Sequence, residues 1–205
     1  MTRHQIYTAI AATLLASSAH AADFSYTGSF GLDNDRVGYA FTLGSTSTVT
    51  LTSLGYAGGT NLAGETIARG GFDPVLSIYD GSGSLIDTAD DGVGAPIDAV
   101  TGQGGDAIYT ASLAAGTYSV FLSQYNNFGP QTLPGNFAFD GQPNFRGGFV
   151  DFYGSQRTGA WALDISGADS VVTAAVPEPM TWALMMIGFG MVGVAARRPL
   201  RSVVA

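Results

Sequence analysis

Apolar and polar residues alternate with a period of two along the middle of the chain. "VGYAFTL" places Tyr39, Phe41 and Leu43 on one face. "STVTLTSL" sets Val49 and Leu51 against Thr48, Thr50 and Thr52, and "VLSIYD" sets Leu76 and Ile78 against Ser77 and Tyr79. "TYSVFLSQY" gives Tyr118, Val120 and Leu122 one face, and "AWALDIS" groups Trp161, Leu163 and Ile165. Alternation over strand-length segments marks sheets with one buried face. Asp80-Gly81-Ser82-Gly83 reads as a tight hairpin, and Ala115-Gly116 as another turn. No segment before residue 176 has helical periodicity. Several short antiparallel strands predict an all-β fold, an antiparallel β-sandwich that is jelly-roll-like, over residues 22–172.

The two ends break this pattern. Residues 1–21 carry Arg3 and His4, then an apolar run from Ile6 to Ala16, then Ala19-His20-Ala21. Charge, apolar core and A-x-A order are those of a signal peptide, with cleavage specified by Ala19 and Ala21. Sec machinery and a signal peptidase are the expected partners. At the other end, Met180 to Ala196 holds no charge. As a helix it would be about 26 Å long, at the short limit for a core of about 30 Å. Arg197, Arg198 and Arg201 follow, which orients the C-terminus to the cytoplasm. Residues 173–179 form a Pro-Glu-Pro linker, and residues 180–205 a transmembrane helix with its Arg cluster. Pro177 and Pro179 hold their preceding residues extended, leaving a non-helical segment beside the bilayer.

Charge narrows the function classes. The 205-residue chain has formal net charge −8 with 12% charged residues, 29 glycines and no cysteine. There is no lysine, and both histidines, His4 and His20, lie in the signal segment. From Asp23 to Val176, 15 acidic residues face four arginines, a net of −11. Nucleic acid is not an expected partner, because its phosphates require clustered basic residues. A Ser-His-Asp triad requires an imidazole that the mature domain lacks. Two carboxylates could still run a hydrolase of the glycosidase kind, but Glu65 is the only Glu of the domain. No enzymatic activity is expected.

The tail motif, Pro177-Glu178-Pro179, then Trp182, an apolar segment with Gly188, Gly190 and Gly193, then Arg197-Arg198, resembles the PEP-CTERM sorting signal of Gram-negative bacteria. The resemblance implies an exosortase as partner: a membrane-embedded cysteine protease or transpeptidase acting near the motif. It also implies transit through the inner membrane by residues 180–196 and release to the cell surface or extracellular polysaccharide matrix. A weaker resemblance spans about 100 residues. It rests on Phe72-Asp73-Pro74, the Asp-Gly hairpin, an acidic segment, and Leu113, Gly116 and Tyr118 at a strand entry. These look like a β-sandwich module of PEP-CTERM proteins that is similar to bacterial pre-peptidase C-terminal domains. That module implies an accessory or adhesive role and no catalytic residue. The long aromatic loop 126–148 departs from it.

Asp80, Asp87, Asp90 and Asp91 are the candidate metal ligands. Ca²⁺ takes six to eight oxygens, which an Asp-rich loop on a rigid hairpin can supply. The set is not an EF-hand: Leu85 stands where its glycine is needed, and Asp91 where its last Glu is. The competing reading makes Asp80 a turn former and Asp90-Asp91-Gly92 a solvated turn. A sandwich of this kind requires no cofactor to fold, and Ca²⁺ is the one candidate. Asp33-Asn34-Asp35 offers a second donor set or a turn. Tyr125, Phe128, Phe137, Phe139, Phe145, Phe149, Phe152 and Tyr153, with Asn126, Asn127 and Asn144, suit either sugar stacking or a long loop folded back onto the core.

Overall fold

The structure, a computed structural model, describes residues 22–174. The expected signal peptide with Ala19 and Ala21, the sorting residues Pro177 to Arg198 and the tail helix lie outside the described residues. Among the described residues no helix is long and apolar enough to cross a membrane. Eleven strands run in chain order: β1 (Ala22–Ser29), β2 (Arg36–Leu43), β3 (Ser47–Ser53), β4 (Gly59–Thr60), β5 (Thr66–Ile67), β6 (Pro74–Tyr79), β7 (Leu85–Asp90), β8 (Ile108–Leu113), β9 (Gly116–Gln124), β10 (Ala160–Ala168) and β11 (Ser170–Thr173). The sandwich thus runs a residue past its expected end at 172, because β11 pairs along β2.

The strands form two antiparallel sheets, β1-β10-β3-β8 and β11-β2-β9-β6-β7, with β4–β5 as a separate small pair. Setting β11 and that pair aside, the chain changes sheet at every step except the β6–β7 hairpin. This is the path of a jelly roll. The alternation explains it: Phe41, Val49, Leu51, Leu76, Ile78, Val120, Leu122, Leu163 and Ile165 all point between the sheets and are fully buried. Each such side chain contributes about 1.5–3 kcal/mol relative to exposure.

One face departs from the half-buried pattern. Every residue of β6 is buried, Ser77 and Tyr79 included. Loop 126–148 folds back over the outside of the second sheet and makes a second core of Tyr79, Phe121 and Phe137. Tyr79 Oη donates to the Pro130 carbonyl at 2.9 Å, and the Gly129 N–H donates to Ser77 Oγ at 3.2 Å. Only glycine permits that approach, since a Cβ at 129 would lie 2.1 Å from Tyr79 Oη.

The two ends of the sandwich differ. One carries Ala22 and the short connections, including the Asp80–Ser84 turn between β6 and β7. The other collects the long loops 30–35, 54–73, 91–107 and 125–159. β11 runs towards this loop-rich end, and the Ala174 N–H donates to the Gly38 carbonyl at 2.8 Å. The chain therefore leaves the described body at the loop-rich end.

Candidate functional site

The β6–β7 hairpin decides which aspartates can meet. Asp90 pairs with Val75 at the loop-rich end, whereas Asp80 begins the turn at the opposite end. Five strand residues separate those levels, about 16 Å at roughly 3.3 Å each. The grouping of Asp80 and Asp87 with Asp90 and Asp91 is therefore corrected. Asp80 closes its own turn: its Oδ1 accepts the N–H groups of Ser82 and Ser84 at 2.9 and 3.0 Å and the Ser82 hydroxyl at 2.6 Å. These bonds, the Ser82 hydroxyl first, hold its carboxyl below the usual range. Asp87 pairs with Ile78 and lies along the open groove between β7 and β8. Its odd spacing from Asp90 sends the two side chains to opposite faces of the strand.

The residue that joins Asp90 and Asp91 is Asp73. Carboxylate oxygens of all three lie within 4.8 Å of one another. Pro74 opens β6, and the residue before a proline is held extended, which fixes Asp73 beside the end of β7. Asp91 reverses the chain at φ 62°, a left-handed conformation that Asp tolerates better than most residues. Asp73 is buried, while Asp90 and Asp91 are exposed. Gly104, Tyr125, Phe152 and Tyr153 complete a cleft of about 180 Å³.

Electrostatics at this cleft are unfavourable for three free carboxylates. Burial, opposed by the Phe152 N–H and reinforced by Asp90, Asp91 and Asp151, pushes Asp73 up to about 7. Asp90 keeps its solvent-facing side, but desolvation of its carboxyl against the cleft wall and then Asp91 push it up to about 6. A divalent cation would relieve this repulsion. Three carboxylates supply three oxygens binding singly and up to six bidentately, out of the six to eight calcium takes, with carbonyls and water completing the shell. The oxygen-only donor set fits a hard cation, and the absence of His and Cys does not suit zinc.

The loops that frame the cleft are held by buried carboxylates that sequence periodicity did not reveal. Asp33, the more buried of the Asp33-Asn34-Asp35 set, accepts the N–H groups of Asn144, Arg146 and Gly148. Asp106 accepts Ser53 Oγ at 2.7 Å and the N–H groups of Tyr56 and Ala57. Arg157 Nε donates to Asp151 Oδ2 at 2.8 Å, and its Nη1 lies 3.4 Å from Asp98 Oδ2. Its guanidinium carbon sits 3.8 Å from the Tyr56 ring centroid. Arg69 forks onto Asp98 from the solvent side. Apart from Arg157 and Asp151, six residues apart, these partners are distant in the chain, so only spacing in three dimensions identifies them.

The aromatics divide. Phe137 is buried, Phe139 and Phe145 stack at 4.0 Å, and Phe149 packs on the main core. Phe128, Phe152 and Tyr153 remain exposed beside the cleft, and Tyr125 meets both Phe128 and Phe152 edge-on. Phe137 and Phe149 thus fold back onto the body, and Phe128, Phe152 and Tyr153 are left open to solvent.

Among known proteins, the PEP-CTERM protein-sorting motif matches residues 175–198. The chain carries this motif, which marks an exported protein sorted by an exosortase in association with the membrane and towards the cell surface. No curated protein was found to match the chain.

Proposed function

We propose that the chain is a non-enzymatic protein of the cell surface or extracellular polysaccharide matrix. On this reading it is exported by Sec, held in the inner membrane by residues 180–196 and released by an exosortase near Pro177-Glu178-Pro179. The observation that carries it is the sorting motif at 175–198. The non-enzymatic part is supported by the mature domain's lack of His, Cys and Lys. Glu65 is exposed in the turn between β4 and β5 and bonded to Asn61, in a cleft with no second carboxylate. Asp73, Asp90 and Asp91 do share a cleft, but their oxygens lie within 4.8 Å, closer than the roughly 5–9.5 Å that glycosidase pairs keep. Intact-mass measurement of the protein from its native cells tests the itinerary. A mature form starting at Ala22 and ending near the motif is expected; one that keeps residues 180–205 defeats the sorting reading.

A second reading, a calcium-stabilised module that binds carbohydrate or another surface, is favoured by the convergence of Asp73, Asp90 and Asp91 beside Tyr125, Phe152 and Tyr153. Aromatic faces next to a cation are suited to sugar rings. The full chain in detergent should melt higher with Ca²⁺ than with EDTA. At a hundredfold excess over Kd the gain is about 2.7 kcal/mol. No shift removes the cation, and a blank glycan array removes the sugar.

A further inference from the structure

We propose that, while its tail is attached, the protein rests its loop-rich end on a zwitterionic lipid surface through Phe152 and Tyr153. This deepens the sorting reading and rests on it. Tether length carries the argument. From Ala174 to Met180 the chain has six steps, at most about 21 Å when fully extended. Ala174 stands level with Gly38, so the far end of β2 at Leu43 lies five residues, about 17 Å, behind it. β11 points the chain away from that end, and a reversal takes a turn of about four residues. The two or three steps left do not reach past Leu43, so the loop-rich end faces the bilayer.

The surface of that end is suited to the position. Its loops carry eight of the ten exposed large apolar side chains among the described residues, Val93, Val100, Phe152 and Tyr153 among them, whereas Ile86 and Val172 stand elsewhere. Phe152 and Tyr153 are 64% and 53% exposed and stand edge-to-face at 5.4 Å. A Tyr ring settles at the headgroup level, its body apolar and its hydroxyl wet, and the Phe152 ring beside it adds apolar area. Asp73, Asp90 and Asp91 lie beside them. Those charges oppose an anionic surface, which selects zwitterionic lipid. Release of the tail would then uncover the same cleft.

The chain has no cysteine, so Tyr153→Cys and Ser82→Cys each accept one environment-sensitive fluorophore. The full chain is inserted into vesicles of phosphatidylcholine and phosphatidylethanolamine containing brominated lipid. The label at 153 should shift to the blue and be quenched several-fold more than the label at 82. Adding Phe152→Ser should reduce that quenching several-fold. Equal signals at 153 and 82 on floating vesicles overturn this proposal alone. A chain that fails to float overturns the membrane tail as well.

Discussion

The backbone N–H of Phe152 donates to Asp73 Oδ2 at 3.3 Å, tying an exposed aromatic corner to the buried member of the carboxylate cluster. Asp73→Asn removes a buried like charge but keeps the acceptor. At pH 7.5 without metal, the variant should melt higher than the parent by about 2–5 °C. It should also lose its response to calcium. A variant that melts lower yet still responds to Ca²⁺ would separate Asp73 from the site.

The pH profile has a definite sign. Asp73 and Asp90 are raised in the folded state, to about 7 and about 6. Between pH 4 and 7 the folded chain therefore binds more protons than the unfolded one, and these groups' stabilisation is lost as pH rises. Asp98 works oppositely: Arg69 first, then the Val100 N–H, Thr101 and Arg157, hold it well below the usual range. Its contribution is present above pH 4 and lost below. Without metal, stability should be greatest near pH 5 and fall towards pH 8, and Ca²⁺ should flatten that fall. A melting series with EDTA that rises from pH 5 to 8 would contradict the cluster.

Arg157→Ala strips two buried carboxylates, Asp98 and Asp151, of a shared cation. Burial alone would raise Asp151, but hydrogen bonds from Arg157, Ser155 and Tyr56 outweigh it and leave it lowered. Removing one partner of a buried pair costs about 3–5 kcal/mol. Urea unfolding should show that loss, with Arg157→Lys intermediate. A change below about 1 kcal/mol would mean that Arg69 alone satisfies Asp98.

The main core was legible because it follows from period-two patterning: the faces read at Tyr39, Val49, Leu76, Val120 and Trp161 all point inward. β1 and β11 were not, since their burial is partial and their pairing partners lie at the far end of the chain. Burial of Ser77 and Tyr79 could not be read from β6, because a loop some 50 residues later provides the cover. For the same reason Asp90 and Asp91 could be named but not Asp73. It is adjacent to them through strand pairing, 17 and 18 residues away in sequence.

Gly129→Ala tests that cover. The new Cβ would fall 2.1 Å from Tyr79 Oη and 2.8 Å from Ser77 Oγ. Relief requires the loop to lift or Tyr79 to move, at a cost of about 1–3 kcal/mol. Faster proteolysis of loop 126–148 should accompany the loss. Wild-type stability and protease resistance would show that the loop is not seated on Tyr79.

Ala22 and Ala174 leave the body at opposite ends of the strand axis, from the edge strands β1 and β11. A pull between them runs parallel to both strands and across their interstrand hydrogen bonds. Such a load is shared by many bonds at once instead of opening them one by one. A domain loaded along this axis would yield abruptly, at high force, and as a unit.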